Sequence, residues 1–144
     1  MPKNSFAHIE LNTGDLGQAK AFYKKLFAWK LDDMPMGPGM TYTLIDPGKG
    51  PGGGMQKKPM ADAPSSWLPY VTVGDVEEAL AKAKKLGAQI VLESTDIGEN
   101  GTIGVFVDPT GAALGVWAEE KKKKKGKKDK KEKGAKKEKK GKKK

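Results

Sequence analysis

The sequence predicts an α+β fold of two tandem β-α-β-β-β modules. They form a curved mixed sheet with a concave pocket and the helices outside, followed by a disordered lysine-rich C-terminal tail. Three observations lead there. The segment around Gly14-Asp15-Leu16 returns, 60 residues on and without a gap, around Gly74-Asp75-Val76. Ala19, Lys24, Lys25 and Leu26 then meet Ala79, Lys84, Lys85 and Leu86, and self-similarity of this kind decides architecture before any local signal. Asp46-Pro47 returns as Asp108-Pro109, 62 residues on. Finally, charge divides the chain sharply at Lys121.

Each element has its own warrant. Phe6 to Thr13 alternates as a strand, with Phe6, His8, Glu10 and Asn12 on one face. Asp15 suits an N-cap with Gln18 three residues on, and the helix runs from Leu16 to about Phe27 with Leu16, Ala19, Tyr23 and Leu26 on one side. Trp29 to Leu31 can begin a strand, and DDMPMGPG then breaks the pattern. Met40 to Ile45 reads as a strand. The run GKGPGGGMQKK reads as a flexible lid or rim of the pocket or as a plain loop, and Pro59 to Ser66 as a linker. Trp67 to Val73 is a strand whose Pro69 marks an edge or a bulge. Asp75 and Glu78 cap a second helix, which carries Val76, Ala79, Ala83 and Leu86 on one face and ends at Gly87. Gln89 to Leu92, Ile103 to Val107 and Ala112 to Ala118 complete the second set of strands, with ESTDIGENG as a loop. The modules span about 5–58 and 66–118, within one domain of residues 1–120. Neither half would bury much alone.

Of the 28 Lys, 17 lie in 121–144 beside 3 acids, so the tail carries +14 and residues 1–120 carry −4. A segment so charged and so poor in apolar groups does not repay its ordering entropy. Lys121, Lys122, Lys123, Lys124, Lys125, Lys127 and Lys128 open this tail as candidate phosphate contacts for non-specific nucleic-acid binding. The chain has no Cys, which excludes disulfides, thiolate nucleophiles and Cys-ligated zinc. It has no Arg either, which excludes a guanidinium clamp. GKGPGGG lacks the Gly-Lys-Ser/Thr and following helix of a phosphate loop. An N-terminus without an apolar stretch, and the lack of a membrane-spanning run, make the cytoplasm the expected location.

His8 with Glu10 two residues away is the candidate acid/base pair, and His8 is the one histidine. Tyr42, Tyr70, Phe106 and Trp117 are expected with Phe6 on the His8 face, and Trp67 at its mouth. With Asn12 and Met55 they make a candidate apolar ligand site. Met34, Met36 and Met40 near the rim can serve as adaptable lining.

The tandem modules, the segment matching GDL…A…FY…LF.W and the ending DP.G….G.W resemble the vicinal oxygen chelate superfamily of glyoxalase I, bleomycin-resistance proteins and extradiol dioxygenases. The resemblance covers about residues 5–118. It is strongest to glyoxalase-like members with a WLPYVTV strand, a VFVDPTGA turn and a Trp near the end. Metal-dependent members hold a divalent ion with two side chains from each module. By that resemblance the positions here are His8, Gly53, Leu68 and Gly115, which leaves one donor of four. A first-row ion needs three or more protein donors, so neither metal nor other cofactor is expected. The resemblance thus implies a metal-free, glyoxalase-like protein that binds a small, partly apolar molecule, with a homodimer open to it and no membrane span. Two other readings remain. One is an enzyme of the family, of lyase or dioxygenase type, using His8 and Glu10. The other is a nucleic-acid-associated protein acting mainly through its tail.

Overall fold

The repeated segment builds one local device twice. In the computed structural model, which describes residues 4–120, α1 (Leu16–Leu26) follows Asp15 and α2 (Val76–Lys85) follows Asp75. Each carboxylate accepts the N–H three residues on, from Gln18 and from Glu78, both at 3.0 Å. These bonds satisfy first-turn donors that have no partner inside the helix. After α2, Gly87 takes a φ of 105°, the left-handed turn a glycine allows at low cost.

Among the described residues, eight strands form one mixed sheet: β1 (Phe6–Thr13), β2 (Lys30–Pro35), β3 (Thr41–Asp46), β4 (Gly52–Lys57), β5 (Ser66–Thr72), β6 (Gln89–Asp96), β7 (Thr102–Val107) and β8 (Ala113–Ala118). Their order is β2-β3-β4-β1-β5-β8-β7-β6. Each half therefore has the same internal order, and the halves meet where β1 and β5 pair antiparallel. The parallel pairs β1–β4 and β5–β8 flank that seam.

Register assigns the faces, because paired residues project to the same side. Leu11, Met55 and Ile45 form one core cluster against Leu16, Ala19 and Tyr23 of α1. Val76 and Leu80 of α2 pack on Val116 and Ala118. Leu11 pairs with Trp67 across the seam, and Val71 pairs with Val116, so both helices cover one face. The other, open face carries His8, Glu10, Asn12, Tyr42, Gly54, Leu68, Tyr70, Gly115 and Trp117.

Three expectations change. The glycine-rich run is no lid over Gly52–Lys57; it is β4, a central strand hydrogen-bonded between β3 and β1. Glycine fits there because of close neighbours: a Cβ at Gly54 would run into the Tyr42 ring. β2 continues through Asp32 to Pro35, where the expected break gives way to an edge position that tolerates proline. Pro69 lies in central β5 rather than at an edge. The β5–β8 register opens at Tyr70, just after it, and a register shift does occur opposite, between Phe6 and His8.

The chain divides into two compact units. One contains the residues up to Thr95 together with Ile103–Ala118; Asp96–Thr102 belongs to the other. Within this second segment, a 3-10 turn at Gly98–Asn100 is closed by Ile97 N–H donating to Gly101 O at 2.8 Å. No helix among the described residues is long and apolar enough to cross a membrane.

Candidate functional site

Alternation along β1 puts His8, Glu10 and Asn12 on the open face, and the neighbouring strands bring two tyrosines to them. Glu10 is 8 % exposed and accepts from the Tyr42 hydroxyl at 3.0 Å, from Asn12 Nδ2 at 3.2 Å and, more weakly, from the Tyr70 hydroxyl at 3.4 Å. His8 Nε2 lies 2.7 Å from the Tyr42 oxygen. Gln56 of β4 donates to Asn12 Oδ1 at 2.8 Å. A carboxylate buried without partners would be costly, and these bonds are what make its burial tolerable.

Two glycines make room for the rings. Glu10 pairs with Gly54, and Tyr70 pairs with Gly115. A Cβ at Gly54 would meet the Tyr42 ring, and one at Gly115 would meet the Tyr70 ring. The electrostatics follow from this closeness. Burial lowers the His8 pKa below the ordinary histidine value, and the Glu10 charge offsets part of that. Burial, with the Glu10 charge added to it, raises Tyr42 and Tyr70 well above the ordinary phenol value. Both hydroxyls therefore stay protonated and can donate.

An open depression of ≈ 690 Å³ lies beside this cluster, lined among others by His8, Lys30, Leu44, Gly48, Gly50 and Gly52. His8 is the member of the cluster that reaches it. On the adjacent hairpin Met34 pairs with Tyr42 and so shares the open face.

The structure brings together His8, Glu10, Asn12, Tyr42 and Tyr70 as one contact cluster. Trp117 lies on the same face, two residues along β8 from Gly115. Four residues expected there are elsewhere. Met55 is completely buried beneath α1 with Leu11 and Ile45, because it pairs with Leu11 rather than with Glu10. Trp67 also pairs with Leu11 and stands edge-on to Tyr23 at 5.5 Å and to Trp29 at 6.3 Å, on the helix side. Phe106 packs against the cluster of Val76, Leu80 and Val116 under α2. Phe6, too, leaves the His8 face: the register shift pairs it with Val71. Gln56 was missed in the sequence, because the expected open-face glycine was Gly53 and only the strand register pairs Gln56 with Asn12. Lys121 to Lys128 lie outside the described residues.

The model of the Glyoxalase/Bleomycin resistance protein/Dioxygenase superfamily matches residues 5–116. The chain belongs to that superfamily. It is similar to CFP32 of Mycobacterium tuberculosis, provisionally named a glyoxylase, at 35% identity over 113 residues, 76% of this chain and 43% of that one. It is also similar to the anthracycline biosynthesis protein DnrV of Streptomyces peucetius, at 25% identity, covering 77% of this chain and 46% of that one. The chain thus spans less than half the length of these curated relatives. Among solved structures, a hypothetical protein from Bacillus halodurans superposes with a TM-score of 0.65 at 14% identity, over 85% of this chain and 99% of that one. Methylmalonyl-CoA epimerase from Mycobacterium tuberculosis does so with a TM-score of 0.63 at 16% identity, over 84% and 94%. At these identities the superpositions show the fold.

Register corrects one of the superfamily's four metal positions. The counterpart of Gly115, which pairs with Tyr70, is Gly54, which pairs with Glu10; Gly53 instead pairs with Ile9 on the helix side. The set becomes His8, Gly54, Leu68 and Gly115. His8 is its one side-chain donor, and tyrosine rings stand over both glycines. Among the described residues no group of three or more His, Asp or Glu side chains is arranged to hold a metal ion. These residues do not fit the superfamily's metal.

Proposed function

We propose that the chain is a small-molecule-binding member of the superfamily that uses the open sheet face without a metal. The observation that carries this reading is the convergence of Tyr42 and Tyr70, one from each half, on Glu10 above two glycines. In place of a cationic centre, the site offers hydroxyl and amide dipoles around a carboxylate, with Met34, Leu44, Leu68 and Trp117 as apolar surroundings. A few placed polar groups among apolar ones are the ordinary make-up of a small-molecule site. The test has two parts. Protein incubated with Ni, Zn, Mn or Fe(II) and then desalted should retain well under one ion per chain; stoichiometric retention that disappears in His8→Ala overturns the metal-free reading. Native mass spectrometry of freshly purified protein should show a copurifying small molecule that is lost in Tyr70→Ala.

A second reading, an enzyme with His8 and Glu10 as acid and base, is favoured by the bond path from His8 through Tyr42 to Glu10. The relatives' names, a glyoxylase and an anthracycline biosynthesis protein, agree with either reading. We assign a separate role to residues 121–144. With 17 Lys and 3 acids they act as a tethered polycation that binds nucleic acid without reading sequence. If about 8 Lys contact phosphates, the slope of log K against log salt is roughly −7. Truncation after Glu120 should abolish binding to two unrelated duplexes; equal affinity without the tail overturns the assignment.

A further inference from the structure

Counting protons in the Glu10 cluster fixes which nitrogen of His8 is free. The Tyr42 hydroxyl has a single proton and donates it to Glu10 Oε2 at 3.0 Å. His8 Nε2 lies 2.7 Å from the same hydroxyl oxygen. With that proton committed to the carboxylate, the short contact is attractive only if Nε2 carries hydrogen and donates to the Tyr42 oxygen. A neutral imidazole has one N–H, so Nδ1 is left with a lone pair. Burial favours the neutral ring.

Both Glu10 oxygens and Asn12 Oδ1 already receive donors, and neither residue lines the depression. Glu10 receives Tyr42, Tyr70 and Asn12, and Asn12 Oδ1 receives Gln56. His8 is half-buried and lines the ≈ 690 Å³ depression beside the cluster. We propose that His8 Nδ1 is the acceptor that recognises a hydroxyl on a small apolar ligand. Tyr42 and Glu10 are positioning residues that hold His8 in its Nε2–H form. A ligand of the same shape without a donor leaves Nδ1 desolvated and unpaired, which is the basis for discrimination. This proposal rests on the small-molecule reading above.

The experiment uses full-length ¹⁵N-labelled protein. The chain has one His, so a long-range ¹H–¹⁵N correlation spectrum reports His8 alone. At pH 7.5 the wild type should show protonated Nε2 and lone-pair Nδ1. Tyr42→Phe removes the acceptor of the Nε2–H bond, and the two tautomers should then mix. Phenol should shift Nδ1 upfield, and anisole, which keeps the ring but lacks the donor, should bind at least tenfold more weakly and leave Nδ1 in place. An Nδ1–H tautomer in the wild type means that the Tyr42 proton points at His8, and it overturns the proposal without any variant. Equal affinity for phenol and anisole overturns the hydroxyl preference while leaving ligand binding intact. The Nε2–H tautomer with no response of any open-face resonance to either probe overturns the binding reading, and the ligand part of this proposal falls with it.

Discussion

On the open face, the hydrogen-bonded polar cluster is drawn mainly from the first half of the sheet. β1, β3 and β4 bring His8, Glu10, Asn12, Tyr42 and Gln56 together; β5 and β8 bring Leu68, Gly115 and Trp117, with the Tyr70 hydroxyl reaching across to Glu10. The helix face differs in another way. Under α1, Tyr23, Trp29, Phe27 and Trp67 form a loose aromatic stack, and α1 has no buried residue. Under α2, Val76 and Leu80 are buried at 2% and 3% exposure against β8. Two copies of one device have diverged: the second has the more deeply buried helix, and the first holds the chemistry.

The largest expected effect tests the contrast between the helices. Leu80→Ala should cost about 2–5 kcal/mol in chemical denaturation, because a fully buried leucine leaves a cavity. Leu16→Ala, at the less buried α1 contact, should cost clearly less. Equal losses would erase the contrast between the helices. Gly54→Ala and Gly115→Ala come next, at about 1–3 kcal/mol each, since each Cβ displaces a tyrosine ring. A neutral result at either position, read from its thermal midpoint, would show that the ring moves aside freely.

The tyrosines then sharpen the comparison across the seam. Tyr42→Phe removes two short contacts and leaves Glu10 and His8 short of partners, for about 1–2 kcal/mol; Tyr70→Phe removes one long bond and should cost under about 1 kcal/mol. The reverse order would move the centre of the cluster to the second half. The smallest effect is on pH dependence. The folded His8 pKa is lowered, so unfolded chains bind the extra proton first as pH falls below 6.5. Its contribution is full above 6.5 and is lost as pH falls through that value toward the folded one. The raised Tyr42 and Tyr70 values act at the other end, where stability falls as pH rises above 10.0. In His8→Asn the thermal midpoint should fall less between pH 7 and pH 5.5 than in the wild type.

Much of this was open to reading in the chain. The repeat, the two capping aspartates and the alternation of β1 follow from local rules: hydrogen-bond capping at short range, and a side-chain period of two. They sufficed for the α+β class, the paired modules, the superfamily and the grouping of His8, Glu10 and Asn12 on one face. What the sequence could not settle was register between strands distant in the chain. Three consecutive glycines at 52–54 carry no side-chain pattern, so nothing local says which one faces Glu10, or that they form a central strand at all. A register change of one residue sends a side chain to the opposite face. That is why Met55, Trp67 and Phe106, sound apolar candidates by composition, lie under the helices. The tertiary structure alone decided that two tyrosines and a carboxylate meet where the superfamily's metal would sit. Their contact depends on pairing across 32 and 60 residues of chain, and no short-range preference specifies a distance of that kind.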